Sequence, residues 1–555
     1  MQAPPGTMSR ARERALVITA ALALAIVMTW PLATGLERLG RTTSADWQVS
    51  LWTVNWVART IVVDPTHLYD ANIFYPHRDT LAYSEANLVQ GALVSPIYWA
   101  TGSAFLAYNA FVLFSFASAW ICAYLLARDL TGSRAAAAVA AIFFAYCPYV
   151  FAHTSHSQLM MTAGLPLSML MFHRLADEPS TGTGIRLGLA LAAQALSCAY
   201  YGIFAGLMVG YATLVTAAMR RLWRSRPYWI AVAIAAIVAI ACVLPFFLPY
   251  LHVQAESGFR RSLEDAARWS ANPWNYLASS AHAHRWLLRL MEGRPFRSEI
   301  LFPGFLAIVF AAAGSIDAVR ATADSRPHAK EIVLLYGSLG LLAFWASFGP
   351  AAGLYRALYL LPTFSFLRAP SRFGIIVTLC ISVFAAFGMA ALLRMTSPRW
   401  RAAVATGLGI LAVAELNLIP FPWERAPIVP SAYAVLAKLP KAPIAEFPFY
   451  GERIAFPLHA QYMMFSTLHW MPMLNGYSDV IPADFRQAAF VLDSFPSNDA
   501  FAVLAKRRVR YITIHWDMFG PRQDEMHTRL EPFMRHLRTL ASDSRMTLYE
   551  IVSFP

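Results

Sequence analysis

The stretch LVQGALVSPIYWATG at 88–102 decides how this chain is threaded. It is apolar, contains a proline, and is shorter than the ~20 residues a helix needs to cross ~30 Å of hydrocarbon. Around it lie eleven longer apolar runs, at about 15–35, 104–127, 135–151, 158–175, 184–199, 203–219, 228–250, 301–319, 331–348, 373–393 and 401–419. If 88–102 spanned, the basic links RDLTGSR (128–134) and RRLWRSR (220–226) would both face outward. Read as a helix lying in the outer interface, it places both, together with RMTSPRWR (394–401), in the cytoplasm. That is where short loops rich in Lys and Arg belong. The reading is eleven spans, with the N-terminus cytoplasmic and the C-terminus outside. Arg10, Arg12 and Arg14 ahead of the first run fit an uncleaved span better than a signal peptide.

Composition supports this. Of 555 residues, 57% are hydrophobic and 14% are charged, against about 25% charged in a soluble domain. So little charge cannot cover several soluble domains. The net charge of +13 sits mostly between apolar runs, as the positive-inside bias requires, and argues against nucleic acid as a partner. All five cysteines lie in or beside apolar runs, so neither a disulfide framework nor a thiolate metal site is readable. The expected fold is an all-α polytopic membrane bundle of about 11 transmembrane helices over 1–420, with a long first outer loop at 37–103. Pro420, Pro422, Pro427 and Pro430 then lead into a soluble extracytoplasmic α/β domain over 421–555. Strand-like pieces there are APIAEFPF (442–449), RVRYITIHW (508–516) and MTLYEIV (546–552).

The spans are almost free of ionisable residues, whereas proton- or ion-coupled transport places such groups near mid-membrane. Polar groups crowd the outer segments instead. The first outer loop opens SADWQVSLWTVNW (44–56) and continues DPTHLYDANIFYPHRDTLAYSEANL (64–88). Asp46 stands where a helix can start, as an N-cap or first-turn acid or as a general base at the lipid boundary. Trp52 and Trp56, spaced i,i+4, are expected to anchor that helix in the interface. Asp79 and Glu85 follow among aromatic residues, a composition that suits a glycan. FAHTSHSQ (151–158) sets His153 and His156 three apart, with Gln158 beside them, as hydrogen-bonding features, substrate contacts or metal ligands. Arg260, in GFRRSLEDAARW (258–269), and Arg368 and Arg372, in LRAPSRFG (367–374), offer planar forks suited to phosphate. Their alternatives are a solvated helix for the first segment and headgroup contact for the second.

With these residues in place, the chain resembles the GT-C superfamily of membrane glycosyltransferases, which includes aminoarabinose transferases and protein O-mannosyltransferases. The likeness over about 1–420 rests on the early acid Asp46, the Pro-containing helix SPIYWATG (95–102) and the span ending in YLLARDLTGSRAAAAVAAIFFAYCPY (124–149). Segments such as DANIFYPH (70–77), LRAPSRF (367–373) and FSTLHWMPMLNGY (465–477) resemble uncharacterised bacterial proteins of this kind. The resemblance implies an enzyme of the bacterial inner membrane. It would transfer sugar from a polyprenyl-phosphate donor to a glycan, lipid or protein acceptor on the outer face. By the same analogy Asp46 is the catalytic base, Glu85 the second acid with Asp79 behind it, and Arg368 and Arg372 the donor-phosphate contacts. Many members carry an acidic metal-binding pair where this sequence has HTSH, which leaves a divalent metal cofactor open. Rival classes are a transporter or flippase of lipid-linked glycans and a non-catalytic envelope scaffold.

Overall fold

The computed structural model describes residues 10–258, 260–294, 299–320, 328–361, 364 and 366–555. The eleven-span reading also puts 251–300 and 349–372 on the outer face, and parts of both segments lie outside the described residues. The chain divides into two compact units: Met1–Thr34, Phe111–Phe246 and Arg260–Pro422 form one, and Gly35–Ala110, Phe247–Phe259 and Trp423–Pro555 the other. The segment between the first two apolar runs thus groups with the tail.

Each of the eleven apolar runs contains helix. Six described helices are long and apolar enough to cross a membrane: Ala104–Thr131, Arg134–Ala152, Ala199–Met219, Arg226–Ser257, Ala329–Ser347 and Pro370–Met395. The chain is accordingly a membrane-embedded protein. The other five, Arg10–Met28, Gly164–Asp177, Thr181–Ser197, Phe305–Arg320 and Pro398–Leu416, are shorter or carry more charge. In the first unit, two helices touch backbone to backbone. A Cβ added at Gly314 would stand 1.9 Å from the Phe384 carbonyl oxygen, and one at Gly388 would stand 2.1 Å from that of Phe310. Only glycine permits that approach, the usual device where lipid supplies no hydrophobic drive for helix association.

One end of this bundle is tied by ion pairs between helices. Glu13 meets Arg128 at 2.5 Å and Arg134 at 2.7 Å. Arg220 meets Asp177 and Glu331, each at 2.7 Å, and Arg394 meets Asp317 at 2.9 Å. The basic links read from the sequence as cytoplasmic therefore gather at one end. Arg394 closes the helix Gly374–Met395, so the segment that precedes Gly374 stands at the opposite end, about 33 Å away at 1.5 Å per residue.

The second unit is built on a mixed sheet ordered β3-β4-β6-β5, from β3 (Ile444–Phe447), β4 (Tyr511–His515), β5 (Leu537–Ser542) and β6 (Met546–Ile551). β3 and β4 pair in parallel, Ile444 opposite Tyr511, and the remaining pairs are antiparallel. Every residue of β3, β4 and β6 is buried, Glu446, His515 and Glu550 included. A two-residue ribbon, β1 (Leu39–Gly40) with β2 (Glu424–Arg425), joins the loop to the tail. Residues 72–75 and 471–475 exchange backbone bonds, including Tyr75 N–H to Met473 O at 2.8 Å and Met473 N–H to Asn72 O at 2.8 Å. Two of the segments that carried the resemblance are thus partners.

Trp52 and Trp56 are not interface anchors. Both are buried, with indole N–H groups donating to Asn72 Oδ1 at 2.9 Å and Leu68 O at 2.8 Å. The helix Ala45–Val63 is a core element of its unit, and its tryptophans fill that core.

The same unit buries a charge. Glu446, on β3, accepts a hydrogen bond from the Tyr433 hydroxyl and stands 2.8 Å from His515 Nε2 and 3.8 Å from His469 Nε2. Its backbone N–H donates to Asn475 Oδ1 at 2.8 Å. Burial alone would raise the Glu446 pKa, but the two histidines outweigh it and hold it down to about 2. Burial pushes His459 down to about 4 and lowers His469.

Candidate functional site

In the first unit, the helix Arg134–Ala152 ends, and Ala199–Met219 and Pro370–Met395 begin, around one arginine. Pro370 opens the turn Pro370–Phe373 because its fixed φ suits a first helical position and its missing N–H is not needed there. That turn buries Arg372, whose guanidinium lies over the Tyr200 ring at 4.3 Å from the centroid. The Tyr200 hydroxyl accepts from the backbone N–H of Arg368 and, at 3.0 Å, of Ala369. One tyrosine therefore fixes the loop with its oxygen and supports the cation with its face. Tyr149 and Tyr201 stand beside it, their hydroxyls 3.1 Å apart, and Tyr201 donates to Leu159 O at 3.2 Å. No carboxylate among the described residues lies within ion-pairing distance of Arg372. Glu299 is close enough to act on it only through its field; burial raises the Glu299 pKa, and its Oε2 has no hydrogen-bond partner.

A guanidinium out of water, lying on the Tyr200 face and lacking a bonded counter-charge, is built to take an oxyanion. It stands at the end of the bundle away from the ion-paired links.

The other expected contacts of this unit divide. His153 follows the span and leans on Tyr149, ring centroids 4.3 Å apart, with Nδ1 2.8 Å from Tyr149 O. Burial first, then the charge of His156, holds it neutral with a pKa pushed down to about 3. His156 N-caps the turn Ser157–Met160, which contains the half-buried Gln158, and its ring lies 6.0 Å from that of His153. Arg368 is half-buried, its guanidinium 5.7 Å from the Trp269 ring centre. Arg260 is exposed, and the following helix Leu263–Arg268 carries its own Glu264–Arg268 ion pair at 3.1 Å, so this segment takes the solvated-helix reading. Among the described residues no group of three or more His, Cys, Asp or Glu is placed to hold a metal ion. The HTSH pair therefore offers two imidazoles without a third His, Cys, Asp or Glu beside them among the described residues, too few ligands for a divalent-cation site.

In the second unit, Asp46 is exposed in the first turn of Ala45–Val63. It is not the N-cap. Ser44 is, its Oγ accepting from Trp47 N–H at 3.4 Å. Glu424 fixes this corner, accepting from Thr43 N–H and Thr43 Oγ1, both at 2.7 Å, and from Thr42 Oγ1 at 3.3 Å. These bonds outweigh its partial burial and lower its pKa. Asp79 has a left-handed backbone, φ +53°, and its carboxylate meets His252 Nδ1 at 3.0 Å. Glu85 lies half-buried just before the helix Leu88–Thr101. The Tyr250 hydroxyl bridges its two neighbours, donating to Ser84 O at 3.0 Å and accepting from Ala86 N–H at 2.9 Å. Asp79 and Glu85 thus share the 250–252 region, while Asp46 is positioned by Thr42, Thr43 and Glu424.

Sequence reasoning missed Tyr149, Tyr200, Tyr201, Glu299 and Glu424. The tyrosines were visible as aromatic residues at span ends; nothing local marked the two glutamates.

The chain has the fold of the GT-C membrane glycosyltransferases. No family profile and no curated sequence matches it. Over 99% of its length it is similar to the arabinofuranosyltransferase AftD from Mycobacteria, at 14% identity and a TM-score of 0.58, and it spans 40% of that longer chain. It is similar over 92% of its length to the apo oligosaccharyltransferase of Archaeoglobus fulgidus, at 13% identity and a TM-score of 0.50, spanning 70% of that chain. The likeness to ArnT from Cupriavidus metallidurans, with a TM-score of 0.38, is too loose to carry an argument. At such identities the likeness concerns the fold, and function must be argued from the residues.

Proposed function

We propose that this protein is a glycosyltransferase of the bacterial inner membrane that transfers a sugar from a polyprenyl-phosphate donor to a cell-envelope acceptor on the extracytoplasmic face. The five shorter helices complete an eleven-span bundle, with the basic, ion-paired end in the cytoplasm and the tail outside. Arg372, seated on Tyr200 with no carboxylate bonded to it, carries the reading. Proteins of the same fold whose names state glycosyl transfer support it.

Roles fall to each unit separately. Arg372, with Arg368 behind it, takes the donor phosphate, and His153, His156 and Gln158 contribute hydrogen bonds nearby. Asp46 accepts the proton of the acceptor hydroxyl as its oxygen attacks the anomeric carbon. The bond from that carbon to the phosphate oxygen breaks, and its electron pair leaves on the lipid phosphate. A single displacement of this kind inverts the anomeric centre. Glu85 and Asp79 bind acceptor hydroxyls.

Asp46→Asn tests the base. The protein is expected to fold normally, since Ser44 is the cap, while turnover falls by about 10²–10⁴-fold and donor affinity holds. Near-normal transfer by this variant in nanodiscs would pass the role to Glu85.

A further inference from the structure

Two neighbouring cations of the second unit, Arg59 and Lys441, flank one tryptophan segment. Arg59 lies half-buried on the helix Ala45–Val63, its guanidinium 5.8 Å from the centre of the Trp470 ring. Lys441 donates to the carbonyl of His469, the residue before that tryptophan. No ion pair among the described residues includes Arg59 or Lys441. Burial, with the charge of Arg59 added, lowers the Lys441 pKa, so the two ammonium and guanidinium charges already oppose one another.

The support between them is costly to build. Trp470 holds a left-handed backbone at φ +51°, an outlying conformation for a bulky aromatic residue. Its indole N–H donates to the Tyr98 hydroxyl at 3.1 Å, and its ring meets Trp56 edge-on at 5.6 Å. Tyr98 belongs to the helix Leu88–Thr101, which is docked against the Arg59 segment. Ser95 Oγ donates to Ala58 O at 2.7 Å, and the Trp99 indole N–H reaches the same oxygen at 3.2 Å.

The outer face of that helix has no partner in its unit. Ala92, Leu93, Pro96, Trp99 and Ala100 are exposed, with Leu93 at 41% and Trp99 at 48%, and no charged residue interrupts them. An uncharged exposed helix face of this kind is a surface for lipid. The cation pair beside it decides which lipid, because an unneutralised guanidinium and ammonium near a hydrocarbon-facing surface match a phosphate headgroup.

We propose that Arg59 and Lys441, with Trp470 between them and the apolar face of Leu88–Thr101 alongside, form a site for the headgroup phosphate of an anionic phospholipid in the outer leaflet. The acyl chains lie along Leu93 and Trp99. The site involves no residue given a part in sugar transfer, and only its assignment to the outer leaflet rests on the proposed topology.

The full-length protein in nanodiscs of phosphatidylcholine with one-third phosphatidylglycerol provides the test, by native mass spectrometry of retained lipid. Wild-type protein is expected to retain phosphatidylglycerol several-fold above its share. Arg59→Gln/Lys441→Gln should bring that enrichment close to one, while Arg486→Gln/Lys506→Gln, which removes equal charge from exposed positions of the same unit, leaves it unchanged. If the double variant does not fold, Lys441→Gln alone should at least halve the enrichment. Unchanged enrichment in a folded variant overturns the proposal. So does displacement of the lipid by millimolar inorganic phosphate, which would mean a free-anion site, or by stoichiometric polyprenyl phosphate, which would assign the cations to the donor.

Discussion

Arg372 in the first unit and Glu446 in the second are both charges held away from water, and their surroundings differ in kind. Glu446 has a hydroxyl, an imidazole at 2.8 Å and a second imidazole at 3.8 Å, all enclosed with it between a strand and its neighbours. Arg372 has the face of Tyr200, and the carboxylate nearest in effect, Glu299, is not bonded to it. A buried charge costs several kcal/mol unless it is matched. Where the match is internal, as at Glu446, the charge serves the fold. Where it is missing, as at Arg372, the match is left for a ligand to supply.

The difference can be broken most forcefully from the structural side. Glu446→Gln leaves Tyr433 and His515 facing an amide, and the local stability of the second unit should fall by about 3–5 kcal/mol, as when one partner of a buried pair is removed. Hydrogen exchange at the β3 and β4 amides of the full-length protein reads this, and donor affinity should not move. Acid gives the next effect. Glu446 has a folded pKa depressed to about 2, so its stabilisation is present above the usual carboxylate value and is lost as pH falls towards 2. His459, held neutral with a folded value of about 4, acts in the same direction. The unfolded chain takes up that proton below about 6.5, so stability should drop by about 2–3 kcal/mol between pH 7 and 4.5 from His459 alone. Protection factors, each rate being taken relative to the intrinsic amide rate at its own pH, that stay flat over this range would show that the buried network does not titrate as described. Tyr200→Phe is the mildest change. It keeps the ring under Arg372 but removes the acceptor of the Arg368 and Ala369 N–H groups, and donor affinity should weaken about fivefold, the worth of ~1 kcal/mol.

The membrane class, the helical runs and the gathering of the basic links at one end were legible in the sequence, because they follow from hydropathy and charge along the chain. Arg372 was legible for a related reason: an arginine at the outward end of a span is not explained by the positive-inside bias. What packs around it was not legible. Tyr149, Tyr200 and Tyr201 look like ordinary interfacial aromatics until three helix ends bring them together. Glu424 fixes the start of the Asp46 helix from more than 370 residues away, and no local pattern encodes such a bond. Trp52 and Trp56 misled for the opposite reason. Their i,i+4 spacing identified one helix face correctly, but the pattern cannot say whether that face meets lipid or, as here, protein.

The claim that Arg372 is the seat of the donor phosphate is tested most directly by measuring polyprenyl-phosphate affinity for Arg372→Gln and Arg372→Lys in nanodiscs. Loss of a charge-assisted bond worth about 1.5–3 kcal/mol should weaken binding by roughly ten- to a hundredfold in the Gln variant. The Lys variant, which keeps the charge but not the fork, should fall between it and the wild type. Wild-type affinity in a folded Arg372→Gln protein would contradict the account.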